Sequence, residues 1–422
     1  MTVNPFQTLV ERGFVQQVTH PEEVERLLGE TQVTVYVGFD PTAPSLHLGH
    51  LLPLIALKHL ELAGHRPIVL LGGGTAMIGD PSGKTEMRKM LSRETIASHA
   101  ESIRRQVERF LDLSGRSLLL NNADWILPLN YVAFLREIGV HFSVNRMLAA
   151  ECFRTRLERG LSFIEFNYML LQAYDFLTLY RRYGCRLQMG GDDQWSNILA
   201  GTDLIRRVED VEAYGLTFPL LTTSSGKKMG KTEAGAVWLS PELTSPYDFY
   251  QYWRNVDDPD VGRFLALYTF LPMDEVRRLA ALPGEQINEA KRVLAYEVTR
   301  LVHGEEEAKK AQAAADALFG REGGQAEAIP SVKVHPAELK AGLPILDALV
   351  RAGLASSRSE GRRLIDQRGI EINGERVESI DRLVTLADAK DGLVVLRKGK
   401  KTYRQLVLEA PASPGQPGAG RS

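Results

Sequence analysis

Short apolar segments separated by helix-length stretches constrain the fold of this chain more than any other feature. Residues 33–39 (VTVYVGF) and 67–71 (PIVLL) are rich in β-branched and other apolar residues, and similar segments recur at 117–121 and 185–191. Apolar strands joined by amphipathic helices are typical of a parallel sheet that helices cover on both faces. The sequence therefore predicts an α/β fold with a Rossmann-like, doubly wound parallel sheet. Ligands are expected beyond the carboxyl ends of its strands.

Two helices are predicted around the first strand. Residues 4–29 are predicted to be helical, because Asn4 can cap a helix whose first position is Pro5. Residues 49–63 are predicted to form an apolar helix that ends at Gly64.

Changes in composition along the 422 residues indicate several domains. A linker is expected where Gly, Pro and polar residues accumulate, and a disordered tail where apolar residues are scarce. The prediction is an α/β domain (1–235), an α-helical domain (236–320), a linker (321–344), a small α+β domain (345–410) and a disordered tail (411–422).

Charge and cysteine usage narrow the class of protein. A formal net charge of −2 provides no global basic field, so a nucleic-acid partner would have to bind a local patch. Cys152 and Cys185 form no CxxC pair, which argues against a disulfide framework or a zinc site and indicates a reducing compartment. Neither a secretory signal nor a membrane-length apolar run is seen, so we expect a cytoplasmic protein without a membrane partner or a metal site of its own.

Polar residues follow the first predicted strand in the segment PTAPSLHLGH (41–50). His47 and His50 stand at the start of a helix, where unpaired backbone N–H groups and the helix dipole favour anions. Gly49 would let a nucleotide approach the backbone. The segment indicates a phosphate site, although solvated or capping histidines would give the same pattern.

Two further segments carry cations. GDPSGKTEMR (79–88) offers Lys84 and Arg88, while SSGKKMGKTEAG (224–235) is a Gly- and Ser-flanked loop with lysines at 227, 228 and 231. Such a loop suits lysines that act on a charged transition state. A polar turn and a basic surface loop are the plain alternatives.

The C-terminal part contains a second group of cations. A helix pair is predicted there, followed by a hairpin at Asn373–Gly374 and by a basic segment. A basic helix beside a basic hairpin suits contacts to RNA phosphates, whereas a solvated charged face is the alternative. The candidate RNA-binding residues are Arg358, Arg362, Arg363, Arg368, Lys398, Lys400 and Lys401.

Together, and in this order, these segments resemble a known family. HLGH (47–50) resembles the HIGH signature of class I aminoacyl-tRNA synthetases, and KMGKT (228–232) resembles their KMSKS signature, with Gly230 in place of the serine. YVGFDPTAPSLHLGHL, GDPSGK, EFNYMLLQAYDF and LQMGGDDQW look like bacterial tyrosyl-tRNA synthetases in particular. The resemblance covers nearly the whole chain.

The resemblance implies roles for individual residues. Tyr36 and Asp175 would bind the phenol of tyrosine; Asp80, Tyr168 and Gln172 its ammonium group; and Gln194 would lie near its carboxylate. Asp40, Gly49, Gly191 and Asp193 would line the ATP site, with Asp193 and the Gly191 backbone on the ribose. Thr42, His47 and His50 would meet the phosphates, and Lys84, Arg88, Lys228 and Lys231 would bind the leaving pyrophosphate.

The resemblance also implies the partners. They are L-tyrosine, tRNA(Tyr) and ATP as a substrate, with Mg²⁺ bound through the phosphates. A homodimer is implied too, with Phe163 near its interface. A tryptophanyl-tRNA synthetase and a non-catalytic RNA-binding paralogue are the alternatives. Tyr36 and Asp175 favour tyrosine over tryptophan, and the intact histidines and lysines favour an enzyme.

Overall fold

The computed structural model describes residues 4–82, 90–158, 160–226, 229–232, 235–319, 329–399 and 402–409, without the side chains of 155, 231–232 and 317–319. The chain forms two compact units, Met1–Glu305 and Glu306–Ser422. The predicted boundary at residue 235 lies inside the first unit and stays a prediction.

A six-stranded sheet forms the centre of the first unit. Its order is β1-β6-β5-β2-β3-β4, with every neighbouring pair parallel except β1 and β6. The predicted doubly wound α/β fold is therefore confirmed. The strands are β1 (Gln17–Val18), β2 (Thr34–Phe39), β3 (Arg66–Leu71), β4 (Leu118–Asn121), β5 (Cys185–Gly191) and β6 (Tyr214–Phe218), and a separate hairpin contains β7 (Lys231–Thr232) and β8 (Gly235–Ala236).

The order of the strands fixes where a ligand can bind. The chain builds β2, β3 and β4 outward in one direction, then crosses back to place β5 and β6 on the other side of β2. The topological switch point therefore lies between β2 and β5, and open parallel sheets bind ligands at the carboxyl ends of strands beside such a point.

Helices surround this sheet, and several begin at side-chain caps. Ser162 and Glu165 form a capping box at the start of the longest of these helices. The helices are α1 (Pro5–Arg12), α2 (Pro21–Glu30), α3 (Leu48–Leu62), α4 (Arg93–Val107), α5 (Ala123–Ile126), α6 (Tyr131–Glu137), α7 (Val144–Leu148), α8 (Glu151–Leu157), α9 (Phe163–Tyr183), α10 (Trp195–Glu209), α11 (Pro246–Arg254), α12 (Val261–Tyr268), α13 (Met273–Ala280) and α14 (Ile287–His303).

The prediction of one helix over residues 4–29 is wrong. The first helix ends at Gly13, whose φ of 86° is the left-handed conformation that glycine adopts without strain. Phe14 is fully buried, and Gln17–Val18 pairs with β6 and forms the edge of the sheet. Pairing with a strand some 200 residues away, which local propensity cannot encode, thus overrides the helical pattern.

The second unit contains a five-stranded sheet of order β12-β11-β14-β15-β9 and a two-stranded pair, β10 and β13. Asn373 and Gly374 both have positive φ and form the predicted hairpin turn. The strands are β9 (Ser331–Val334), β10 (Leu343–Pro344), β11 (Ile370–Ile372), β12 (Glu375–Arg376), β13 (Leu383–Val384), β14 (Leu393–Lys398) and β15 (Thr402–Leu408), and the helices are α15 (Glu305–Phe319), α16 (Pro336–Ala341), α17 (Ile345–Arg351) and α18 (Arg358–Asp366).

Residues 331–344, which the sequence assigns to a linker, are part of this second unit. β9 pairs in parallel with β15, and the buried side chains of Val334, Leu339 and Leu343 join its hydrophobic core. The prediction of a linker is therefore wrong for residues 331–344. A strand of four residues is too short to be recognised from the sequence pattern. The rest of the predicted linker, as well as the tail, lies mostly outside the described residues.

Candidate active site

A cavity of about 450 Å³ opens at the carboxyl ends of β2 and β5, at the switch point of the sheet. β2, α3, α9 and the segment after β5 each contribute side chains to it. The predicted tyrosine- and ATP-site residues in the described part of the chain all line it: Tyr36, Asp40, Thr42, His47, Gly49, His50, Asp80, Tyr168, Gln172, Asp175, Gly191, Asp193 and Gln194.

Asp175 is the most deeply buried carboxylate of the cavity. Its oxygens accept hydrogen bonds from Asn122 Nδ2 at 2.8 Å and from Trp125 Nε1 at 2.7 Å. Burial raises the pKa of Asp175 to about 7; the two hydrogen bonds lower that pKa, and the charge of Asp40 adds to the increase. The carboxylate is thus oriented by two donors and titrates close to neutral pH.

Asp40, directly after β2, is held in a similar way. One oxygen accepts the hydroxyl of Thr75 at 2.8 Å and the other accepts the hydroxyl of Tyr168 at 2.9 Å. Asn122 Nδ2 also donates to the Thr75 hydroxyl oxygen at 3.0 Å. Asp40 and Asp175 therefore share one hydrogen-bond network through Asn122 and Thr75.

Three buried polar atoms of the cavity have no hydrogen-bond partner among the described residues. They are the hydroxyl of Tyr36 and the side-chain oxygens Oε1 of Gln172 and Gln188. Burial raises the pKa of Tyr36 well above its ordinary value, and the nearby charge of Asp175 adds to this effect, so the hydroxyl stays protonated. Because buried polar groups are normally satisfied, these three atoms indicate a ligand that supplies missing partners.

Asp80 and Gln194 meet on another wall of the cavity. Gln194 Nε2 donates to one oxygen of Asp80 at 2.7 Å, and the backbone N–H of Ser82 donates to the other at 2.9 Å. Asn197 Nδ2 donates to Gln194 Oε1 at 3.2 Å. The amide and the carboxylate are thus fixed in one orientation before any ligand binds.

His47 and His50 stack at the start of α3, with ring centroids 3.9 Å apart. The Nδ1 atom of His47 accepts the Gly49 N–H at 3.0 Å, and that of His50 accepts the His47 N–H at 3.3 Å. Because both Nδ1 atoms are acceptors, the neutral rings carry their protons on Nε2. Each ring can therefore present an N–H donor to an anion near the helix N-terminus.

Close packing requires glycine at two positions of the cavity. A Cβ atom on Gly72 would lie 1.9 Å from an oxygen of Asp40, and one on Gly49 would lie 2.9 Å from the ring of His47. Either contact would displace a side chain that lines the cavity.

Some functional candidates lie outside the described residues, namely Lys84, Arg88 and Lys228; of Lys231 only the backbone is described. Conversely, the sequence analysis did not identify Thr75, Asn122 and Trp125, whose side chains form the hydrogen-bond network of Asp40 and Asp175. Asn122 could have been found, because it stands at the carboxyl end of a predicted strand, where ligand-site residues of such sheets gather.

The candidate RNA-binding residues differ in their partners. Arg358 forms a two-pronged ion pair with Asp347, at 2.5 and 2.7 Å, and Lys398 Nζ lies 3.1 Å from a Glu360 oxygen. The latter pair joins β14 to α18, so the basic helix and the basic strand β14 are neighbours. Arg362, Arg363 and Arg368 are exposed and have no ion-pair partner among the described residues, while Lys400 and Lys401 lie outside them.

Two kinds of feature are absent from the described part of the chain. No helix there has both the length and the apolar character to cross a membrane. Nor do three or more His, Cys, Asp or Glu side chains gather there in an arrangement that could hold a metal ion.

Comparison with known proteins links both units to one enzyme family. The family described as tRNA synthetases class I (W and Y) matches residues 29–320, and the tyrosine–tRNA ligase SYY-like C-terminal domain matches residues 323–406. The chain is 31% identical to the C-terminally truncated mitochondrial tyrosyl-tRNA synthetase of Aspergillus nidulans, with a TM-score of 0.68 over 75% of this chain and 94% of that one.

Curated relatives are similar over almost their whole length. The tyrosine–tRNA ligase of Caldanaerobacter subterraneus subsp. tengcongensis is 60% identical over 96% of this chain and 99% of the relative. That of Clostridium beijerinckii is 58% identical over 96% of this chain and 100% of the relative. These similarities, with the switch-point cavity and the HLGH helix start, show that the chain belongs to the tyrosine–tRNA ligases, within the class I tRNA synthetases.

Proposed function

We propose that the cavity activates L-tyrosine with ATP to form tyrosyl-adenylate, and that the chain then transfers the tyrosyl group to tRNA(Tyr). The observation that carries this proposal is a set of buried atoms without a hydrogen-bond partner among the described residues, which includes the Tyr36 hydroxyl and Gln172 Oε1, in a cavity that also contains oriented carboxylates. A phenol and an ammonium group are the complementary donors and acceptors. Tyrosine carries both.

The tyrosine end of the site uses the hydrogen-bond network already described. Asp175 accepts a hydrogen bond from the substrate phenol, and the Tyr36 hydroxyl donates a hydrogen bond to the phenol oxygen. Asp80, Tyr168 and Gln172 hold the ammonium group, while Gln194 lies beside the carboxylate. Support comes from the alignment of Tyr168, Gln172 and Asp175 on one face of α9, at spacings of four and three residues.

The phosphate end supplies hydrogen-bond donors and cations. His47, His50 and Thr42 bind the ATP phosphates, and Lys84, Arg88, Lys228 and Lys231 bind the pyrophosphate. Asp193 and the Gly191 backbone bind the ribose, with Asp40 and Gly49 beside the nucleotide. Mg²⁺ arrives bound to the phosphates, which suits a site whose phosphate-facing groups are donors rather than carboxylate ligands.

The chemistry needs no protein nucleophile. The tyrosine carboxylate is ionised and attacks the α-phosphorus of ATP in line, so the new P–O bond forms as the bond to pyrophosphate breaks. The side chains accelerate this step by holding the reactants in place and by stabilising the charge that develops on the phosphates. The adenylate's carbonyl carbon is then attacked by a ribose hydroxyl at the 3′ end of the RNA, which releases AMP.

Tyrosine-dependent ATP–pyrophosphate exchange by the full-length chain tests this proposal. Exchange is expected with tyrosine and not with tryptophan, and its absence with tyrosine would refute the activity. Tyr36→Phe should lower the preference for tyrosine over phenylalanine, because a hydroxyl that meets the substrate phenol is lost. Tyr174→Phe, on α9 but outside the cavity-lining set, is the matched control and should keep the preference.

We also propose that the protein is a homodimer. Large apolar side chains between residues 127 and 163 are more exposed than is usual, including Tyr131, Val132, Val140, Val144 and Phe163, which range from 56% to 72% exposed. We assign this surface to a second copy of the chain. Light scattering should give twice the chain mass, and Phe163→Lys should give the monomer mass; a monomeric parent would exclude the dimer.

The two free cysteines fit the proposed cytoplasmic location.

A further inference from the structure

Met229 and Gly230, in the middle of the KMGKT motif, are held by residues that no motif includes. The Gly230 N–H donates to the hydroxyl oxygen of Tyr252 at 3.0 Å. The Tyr268 hydroxyl lies 3.5 Å from the sulfur of Met229. Tyr252 belongs to α11 and Tyr268 to α12, so two helices beyond the predicted catalytic domain contact this segment.

The same segment lies against the other signature motif. Gly230 has φ of 76°, and a Cβ atom on it would be 3.1 Å from Leu48 Cβ at the start of α3. Val237 links the two motifs through its backbone. Its N–H donates to the Gly230 oxygen at 2.9 Å, and its oxygen accepts the Leu48 N–H at 3.1 Å. The backbones of KMGKT and HLGH are therefore neighbours, and a shift of one moves the other.

Tyr252 is built to act as a fixed acceptor. It is half-buried, its ring packs edge-on against Trp253 with centroids 5.5 Å apart, and burial raises the pKa of its hydroxyl. The hydroxyl therefore stays neutral in the physiological range, with an oxygen available to the Gly230 N–H. Tyr252 does not line the cavity, whereas Met229 and Tyr268 do.

We propose that Tyr252 is a positioning residue for tyrosine activation: its hydroxyl holds the Met229–Gly230 backbone against the start of α3 and so fixes the phosphate-binding end of the site. This inference rests on the proposed function. The rate of adenylyl transfer depends steeply on the placement of the phosphate oxygens. The reason is that the catalytic groups act by position and charge rather than by covalent chemistry. A backbone anchor beside two phosphate motifs therefore acts on rate.

Tyr252→Phe removes the hydroxyl and keeps the ring. The rate constant of tyrosyl-adenylate formation, measured by quenched flow at saturating ATP and tyrosine, should fall about fivefold, the factor that one ordinary hydrogen bond provides. The dissociation constant of tyrosine, measured by equilibrium dialysis, should not change, since the proposed tyrosine contacts come from β2, α9 and the segments after β3 and β5. Gly230→Ala, at a positive φ and close to Leu48, should lower the same rate constant by a different route.

Tyr296→Phe is the control, because Tyr296 is half-buried on α14 and does not line the cavity. It should match the parent in rate constant, tyrosine affinity and thermal midpoint. A Tyr252→Phe variant with the parent's rate constant would overturn the inference. So would one whose rate constant, tyrosine affinity and thermal midpoint all fall together, because the hydroxyl would then support the fold at large. If the parent itself shows no tyrosine-dependent exchange, the proposed function fails first and the inference with it.

Discussion

The indole N–H of Trp125 donates to a carboxylate oxygen of Asp175 across 50 residues of sequence, at 2.7 Å. Trp125 is itself buried, with 4% of its surface exposed, and packs in the hydrophobic cluster that contains Tyr36 and Phe176. Asp175, the proposed contact of the substrate phenol, is thus oriented from the core of the first unit by a side chain that does not line the cavity.

Trp125→Phe should weaken tyrosine binding with little effect on the ATP side. The phenylalanine ring fills most of the space but cannot donate a hydrogen bond to Asp175. Bonds to charged groups contribute about 1.5–3 kcal/mol, so we expect the KM for tyrosine in exchange to rise roughly tenfold or more. The KM for ATP should stay within about twofold by the same reasoning, since no ATP contact is removed. An equal rise in both constants would contradict a role confined to Asp175.

The pH dependence of tyrosine use should reflect Asp175. Its pKa is raised to about 7, mainly by burial, and the bond to the substrate phenol needs the ionised carboxylate. The kcat/KM for tyrosine in exchange should therefore fall as pH decreases below about 7. Asp175→Asn should lower kcat/KM throughout and remove this acidic limb. A limb that persists in the variant would assign the titration to another group.

The same group should influence stability in the opposite direction. The folded-state pKa of Asp175 is higher than its ordinary value of 3.8, so the folded state holds the proton more tightly. The stability that this group contributes is complete below about pH 4 and is lost as pH rises to about 7. Urea unfolding without ligands should show a larger loss between pH 4 and pH 7 in the parent than in Asp175→Asn. Parallel pH profiles would contradict the assignment.

The buried ion pair of Arg156 and Glu165 should support the stability of the first unit. The two side chains are 5% and 3% exposed and lie 2.9 Å apart, and Glu165 is three residues before Tyr168 on α9. Glu165→Gln leaves a buried guanidinium without its counter-charge, which costs about 3–5 kcal/mol of unfolding free energy. Urea unfolding measures this loss. Glu275→Gln, which disrupts the exposed pair with Arg278, is the control and should leave the free energy of unfolding unchanged.

Charge removal at the C-terminal unit should separate RNA recognition from tyrosine activation. Arg362→Ala with Arg363→Ala should raise the KM for tRNA in aminoacylation and leave exchange unchanged, because these exposed arginines have no ion-pair partner in the described part of the chain. Each lost phosphate contact should reduce the salt dependence of RNA affinity by nearly one unit of slope. Arg358→Ala should have a smaller effect, since Asp347 already compensates that charge. A larger effect at Arg358 would show that the pair opens to bind RNA.

The sequence by itself determined the class of fold and most of the candidate site. Apolar strands such as 67–71 and helix starts such as HLGH can be recognised from the sequence, because the spacing of apolar residues and the chemistry of side chains are local properties. Because parallel strands bring their carboxyl ends to one edge, polar residues such as Asp40 and Asp193 could be expected to meet without any coordinates.

Only the tertiary structure decided which polar groups pair. It joined Asn122 and Trp125 to Asp175, left the Tyr36 hydroxyl and Gln172 Oε1 unsatisfied, and separated Arg358, which is paired, from Arg362. It also ended the first helix at Gly13 and added residues 331–334 to a sheet. Each outcome depends on a contact between segments far apart in sequence. The free energy of burial and hydrogen bonding at such contacts exceeds the small preferences that local sequence expresses.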